Sequence, residues 1–362
     1  MISGASQADV GLLLVPASAE FASATAQGNH ETGEVQGQSR QHARLINLLG
    51  VKQLIVGINK MDSDYAGFKE ERYMEIRDEV INILVKVGWN KDFVAKNVPF
   101  IPYSGFKGDN LIKQSENMPW WKGQDVRTSD GSMVHVTTLL DCLNNYAKPP
   151  PRELNKPLRA PISGIYNIKG VGQIYASRIE QGVVHPGDEV IFLPQHTDVN
   201  PCTGKIFSIE MHHRSQPDAK NGDNIGMCIR GLSKDNVPIA GSVMILKSDT
   251  SLRAAKNFTC VAQIIDFPNE IKPGYSPIGF VRTTRSAVKL VKINWKMGKE
   301  TGNKKLEDPT YVKQGDACEL VFEPQQPFVV EPFESCEGLS RIACLDGNGV
   351  VLLAKVTKVE FN

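Results

Sequence analysis

Asn59, Lys60 and Asp62 form an Asn-Lys-x-Asp spacing directly after the apolar run 53–58, Gln-Leu-Ile-Val-Gly-Ile. The run reads as a buried strand. A carboxylate held at the end of such a strand accepts hydrogen bonds from the N1–H and 2-amino groups of guanine. Adenine lacks that donor pair. The asparagine can tie neighbouring loops together, and the lysine stem can cover one face of the flat base. The carboxyl ends of strands are where open α/β sheets bind ligands.

A second loop has matching chemistry. Residues 98–102 read as another short strand, followed by Tyr103-Ser104-Gly105-Phe106. A serine and a glycine in a tight turn offer a hydroxyl and backbone N–H groups to the guanine O6. Ser104, Gly105 and Phe106 therefore join Asn59, Lys60 and Asp62 as candidate guanine contacts.

Several segments carry a resemblance to a known family. Ser6-Gln7-Ala8-Asp9, Gln38-Ser39-Arg40-Gln41-His42-Ala43, Asn59-Lys60-Met61-Asp62 and Asn117-Met118-Pro119-Trp120 resemble eukaryotic elongation factor 1-alpha, as do Met211-His212-His213 and Lys304-Lys305-Leu306-Glu307-Asp308. The tail and the stretch Asn110-Leu111-Ile112-Lys113 are more similar to the elongation factor-like paralogue. The resemblance implies a translational GTPase that uses GTP or GDP, with Mg2+ only in the intact protein. It also implies a cytoplasmic location, aminoacyl-tRNA and the ribosome as partners, a guanine-nucleotide exchange factor, and no membrane.

Two of the family's devices are missing. No window matches G-x-x-x-x-G-K-[ST], the loop whose N–H groups and lysine hold phosphates. The Asp-x-Pro-Gly-His segment is also absent. Met1-Ile2-Ser3-Gly4 resembles a stretch lying just after that missing histidine, so the chain reads as an amino-terminally truncated member with no catalytic residue and no metal ligand of its own.

Composition fits this reading. Seven dispersed cysteines without a C-x-x-C pair point to reduced thiols. No run of about 18 apolar residues suggests a membrane-crossing helix. Net charge is +1, which does not announce a nucleic-acid binder. The densest basic stretch is Lys289, Lys292, Lys296, Lys299, Lys304 and Lys305 around Trp295.

The elements change rhythm along the chain. Strand and helix signals alternate up to residue 146: strands at 10–15, 53–59 and 98–102, helices at 39–49, 68–87 and 133–146. This is a βαβ pattern and implies a parallel sheet. Residues on both faces of the 10–15 strand are apolar, so burial on both faces is expected. Pro149-Pro150-Pro151 stiffens a linker. Beyond it, short strands with Gly and Pro turns read as barrels. The expected fold is a partial P-loop-GTPase-type α/β parallel sheet followed by two all-β barrels. The expected domains are 1–150, the carboxyl-side remnant of a GTP-binding domain; 151–250, a translation-factor barrel; and 251–362, a second barrel.

The resemblance also assigns residues in the barrels. Glu210, His212 and Asn224 match positions that bind the aminoacylated end of transfer RNA in relatives. Arg282 and Thr283 resemble a strand pair that contacts the T stem. Two departures bear on this: Leu345 and Gly349 stand where relatives carry arginines, and neither can hold a phosphate. The implied function is GTP-dependent delivery of aminoacyl-tRNA by the intact protein. The alternative is a non-catalytic module that binds RNA, cytoskeleton or translation factors.

Overall fold

The computed structural model describes residues 8–26, 37–48, 50–152, 154–170, 172–265, 267, 269–347 and 349–361. Residues 1–7 and Leu49, used in the sequence reading, lie outside these. The chain divides into two compact units, Met1–Pro151 and Arg152–Asn362.

The first unit is built on three parallel strands in the order β1 (Val10–Pro16), β2 (Gln53–Asn59), β3 (Phe100–Pro102). Five helices accompany them: α1 (Phe21–Thr25), α2 (Gln38–Leu48), α3 (Glu70–Lys86), α4 (Lys91–Asn97) and α5 (Leu139–Asn145). Helix α3 buries Tyr73, Ile76, Val80, Ile83 and Leu84, a three- and four-residue stripe. Glu70 and Glu71 in its first turn and Lys86 in its last complement the macrodipole. It starts later than the periodicity suggests because Gly67 and Phe68 adopt positive φ, 53° and 58°. Helix α4 is announced only by Asn90, whose side chain accepts from the Phe93 N–H at 3.0 Å.

The expected helix at 133–146 is corrected. Met133–Val136 is a strand, β5, paired antiparallel with β4 (Gln124–Arg127). The alternation Met-Val-His-Val suits a pleated ladder, and the helix begins only after Thr138, whose Oγ1 accepts from the Asp141 N–H at 3.1 Å.

The burial expected on both faces of β1 is also corrected. Leu13 and Val15 are buried against the core that includes Ala43, Ile46 and Ile76. Leu12 and Leu14 are 38% and 50% exposed. The reason is the cover. On that face, Ile55 of β2 and Ile101 of β3 are capped by Val126, Val136, Cys142 and Tyr146. Among buried groups this cap stops short of β1, reaching only partly buried Val10. Strand β1 pairs with β2 alone among the described residues, so its other edge is open.

The second unit is two six-stranded antiparallel barrels. In the first, β10 (Thr203–Met211), β13 (Asn224–Arg230), β7 (Gly172–Arg178), β6 (Ala160–Ile168), β14 (Val243–Leu246) and β9 (Glu189–Leu193) follow in order. A β9–β10 pairing closes the ring. In the second, β16 (Ile278–Val281), β20 (Arg341–Asp346), β21 (Gly349–Phe361), β15 (Ala255–Ile264), β19 (Ala317–Pro324) and β17 (Thr284–Met297) are closed by β16–β17. Closure leaves these rings without free edges.

A buried arginine joins the barrels. Arg159 is 1% exposed. Its Nε and Nη2 donate to Glu331 at 2.7 and 3.0 Å. Its Nη1 donates to Asp249 at 2.6 Å and Nη2 to Ser251 Oγ at 2.9 Å. The fork geometry of a guanidinium serves two carboxylates at once.

Candidate functional site

Strand β2 ends in a left-handed step. Lys60 has φ 64°, and its N–H donates to Asn59 Oδ1 at 2.7 Å. The same oxygen accepts from the Gly105 N–H at 2.9 Å. One amide thus joins the loop after β2 to the loop after β3. Gly105 suits that approach: a Cβ there would lie 3.3 Å from Asn59 Oδ1. Met61, fully buried, anchors the first loop, and its N–H donates to the Tyr103 carbonyl at 3.3 Å.

Asp62 and Ser104 meet. Ser104 Oγ donates to Asp62 Oδ1 at 2.6 Å and accepts from the Lys107 N–H at 3.0 Å. Ser104 itself is fully buried, while Phe106 is 91% exposed. The carboxylate is oriented by the serine and keeps acceptor capacity for an outside donor pair. Sequence reasoning missed what supports this loop. Asn110 is fully buried with φ 54°. Its Nδ2 donates to the Pro102 carbonyl at 2.9 Å and its Oδ1 accepts from the Ser115 N–H at 2.7 Å. The Ser104 N–H donates to the Asp109 carbonyl at 3.1 Å. A Gly-Asp-Asn turn signal was present at 108–110 but carried no chemistry by itself.

Beside these loops, at the carboxyl ends of β1 and β2, lies an open cavity of about 560 Å³. Leu14, Pro16, Glu20, His42, Asn59 and Lys60 are among its lining residues. Lys60 Nζ does not stand free there: it pairs with Glu20 Oε2 at 2.5 Å. That hydrogen bond and charge hold the Glu20 carboxyl below its ordinary range. Burial lowers the His42 pKa, favouring the neutral ring. Nothing in the motif pointed to Glu20, which lies 40 positions from its partner.

A guanine nucleotide divides into two parts for these residues. The base fits: an oriented carboxylate, an amide bridge and a lysine stem surround one place. The phosphates and a magnesium ion do not fit. The cavity's lysine is neutralised by Glu20, and the phosphate-loop pattern is absent from the sequence. No group of three or more His, Cys, Asp or Glu side chains among the described residues could hold a metal.

The barrel candidates separate into two groups. Glu210 stands opposite Gly226, and Asn224 opens the same strand, β13. His212 lies just beyond the end of β10. All three are exposed. His212 and His213 are not strand residues. They have φ 52° and 60° between the paired Met211 and Arg214, a two-residue hairpin turn of the primed type. Arg152 Nη1 pairs with Asp223 at 2.7 Å and braces the turn before Asn224.

Arg282 and Thr283 are placed differently and are corrected as free contacts. They form the turn between the paired Val281 and Thr284. Arg282 Nη2 donates to Glu180 at 2.7 Å and Nε to the Gly338 carbonyl at 3.1 Å. Thr283 Oγ1 donates to the Ile162 carbonyl at 3.0 Å. Both side chains join the barrels. Lys296 likewise leaves the basic stretch: it is 3% exposed, pairs with Glu300 at 3.2 Å and sits 3.8 Å from the centre of the Tyr311 ring.

Comparison with known proteins agrees with this architecture. Residues 1–149 match the Elongation factor Tu GTP binding domain, residues 172–245 match Elongation factor Tu domain 2, and residues 257–357 match the GTP-eEF1A C-terminal domain-like family. Elongation factor 1-alpha of Onchocerca volvulus is 37% identical over 99% of this chain and 74% of its own length. That of Tetrahymena pyriformis is 37% identical over 99% and 76%. Among solved structures, sup35 complexed with GDP is similar with a TM-score of 0.51 at 27% identity, covering 99% of this chain and 81% of that one. The sup35 complex with GMPPNP gives 0.52 at 25% identity, covering 99% and 80%. The chain belongs to the elongation factor 1-alpha family of GTP-binding translation factors.

Proposed function

We propose that this chain is the guanine-reading and barrel portion of a cytoplasmic translation elongation factor whose intact form delivers aminoacyl-tRNA to the ribosome. The observation that carries the reading is the 2.6 Å contact between Ser104 and Asp62, together with the Asn59 bridge to Gly105. Asn59, Lys60, Asp62 and the backbone at Ser104 and Gly105 recognise the base. Glu210, His212 and Asn224 form the surface for the aminoacylated transfer-RNA end, with an exposed carboxylate and amide available for hydrogen bonds. Arg282 and Thr283 are left out because the barrels use them. The misfit of phosphates and Mg2+ favours the second reading for the 362-residue chain by itself: a module that binds without turnover.

The test has two arms. Asp62→Asn replaces an acceptor by an amide donor, so preference should move from guanosine to xanthosine, by about tenfold or more, the scale of a lost charge-assisted pair. Equilibrium dialysis with both nucleosides reads it, and unchanged preference removes Asp62 from the site. In the second arm, Glu210→Ala with Asn224→Ala should weaken aminoacyl-tRNA binding in a gel shift while leaving the melting temperature unaltered. Equal binding by this double variant would exclude that barrel end.

A further inference from the structure

We propose that the 362-residue chain recognises guanine as a nucleoside, so that phosphates and a divalent cation add no affinity. The inference rests on the guanine reading given above and narrows its ligand class.

The base side and the phosphate side of the site are built from different materials. On the base side, hydrogen-bond donors and acceptors are fixed before any ligand arrives. Asn59 Oδ1 is shared by two N–H groups, and Ser104 orients Asp62. Such preorganisation is what lets a small ligand bind without spending affinity on ordering loops. On the phosphate side, the cavity offers no matching set. Binding a polyanion calls for unpaired cations or a nest of backbone N–H groups. Of the lining residues, Lys60 is cationic, and its ammonium already meets Glu20 at 2.5 Å. A phosphate chain there would confront the Glu20 carboxylate or have to displace it. His42 is held toward its neutral form by burial. Leu14, Val15 and Pro16 give the rest of that wall an apolar character. A magnesium ion needs oxygen ligands and usually enters with the phosphates it bridges; the described residues present no acidic cluster for it.

Equilibrium dialysis of the full chain against guanosine, GMP, GDP and GTP, each with and without MgCl2, tests this, with adenosine as the control. Guanosine and its phosphates should bind within about threefold of one another, and magnesium should leave each constant unmoved. GDP or GTP binding about tenfold or more tighter than guanosine would overturn the proposal and show that the chain holds phosphates after all. Guanosine binding no better than adenosine would instead defeat the guanine reading beneath it. Glu20→Gln supplies a separate check, because Glu20 is exposed and its loss frees Lys60. The GDP-to-guanosine affinity ratio should rise by a few fold, the scale of one partly screened charge. A ratio that stays at the wild-type value would show that Glu20 does not set the discrimination.

Discussion

The three-stranded sheet and the two barrels solve the same problem in opposite ways. Each barrel closes its ladder on itself, and the polar groups between the barrels are matched: Arg159 with Asp249 and Glu331, Arg282 with Glu180. The sheet instead ends at β1, an uncharged seven-residue strand, Val-Gly-Leu-Leu-Leu-Val-Pro. Two of its leucines face outward on the side where the β2–β3 cap stops. Closure makes the barrels self-sufficient. The sheet keeps its recognition loops intact because those depend on β2, β3 and the Asn110 turn, while its far edge lacks a partner among the described residues.

The largest effect is expected where the barrels depend on buried charge. Arg159→Met leaves the Asp249 and Glu331 carboxylates facing each other's site without their shared donor. Loss of one partner from a buried ionic group costs about 3–5 kcal/mol. Urea unfolding of the full chain should show the second unit's transition moved to lower denaturant by that amount. A shift below about 1 kcal/mol would mean the network is no stronger than a surface pair. The same network adds acid sensitivity. Burial pushes the Asp249 carboxyl up, but hydrogen bonds from Ser251 and Arg159 outweigh it and hold the pKa below the ordinary value. Its contribution is therefore present above the unfolded carboxylate pKa and lost as pH falls through the lowered folded one.

The open edge of β1 gives the next effect. An apolar edge without charge or proline in its middle invites pairing with another chain. The full chain should self-associate, and residues 152–362 alone should stay monomeric, as read by light scattering. Leu14→Lys places a charge on the exposed face and should suppress association without loss of stability, because Leu14 is already half exposed. A monomeric full chain with β1 amides protected from hydrogen exchange would show that the edge is covered after all.

How legible all this was in the sequence depended on whether chemistry or context fixed each residue. Asn59, Asp62 and Ser104 were legible because reading a guanine edge demands an acceptor, a bridge and a donor at strand ends, and they do converge. The alternation of elements followed from apolar periodicity, and α3 shows the stripe that periodicity demands. The Glu20–Lys60 pair was not legible, since an ion pair across 40 positions leaves no local pattern. His212 and His213 carry no glycine or asparagine to mark a turn, so register alone reveals the hairpin. Arg282 looked like a ligand contact because an exposed arginine and one spent on a neighbouring barrel are the same letter. Strand β5 looked helical because Met133 and the true helix at Leu139 form one apolar stretch.

The smallest effect sharpens the comparison within the first unit, at the hairpin whose Val126 and Val136 help to cap β2 and β3. His135 Nδ1 meets Asp125 at 2.8 Å and Nε2 meets the Lys122 carbonyl at 2.9 Å. Both partners are acceptors, so the doubly protonated ring satisfies both, whereas a neutral ring can donate to one. The pKa is accordingly raised, chiefly by the hydrogen bond to Asp125. A raised folded pKa means that the stabilisation is fully present below the unfolded histidine value and is lost as pH rises through the folded one. The ring is half exposed, so solvent screens the pair and the gain is small. His135→Gln should therefore destabilise the first unit slightly at mildly acidic pH and have no effect at alkaline pH, compared by unfolding at both. Gly123 adds a steric boundary to this reading, since a Cβ there would lie 2.4 Å from His135 Nε2. Gly123→Ala should weaken the hairpin at either pH, by strain at a φ of 95° and by displacing the ring. If the His135→Gln difference were the same at both values, the ring would act by packing alone and the proton would play no part.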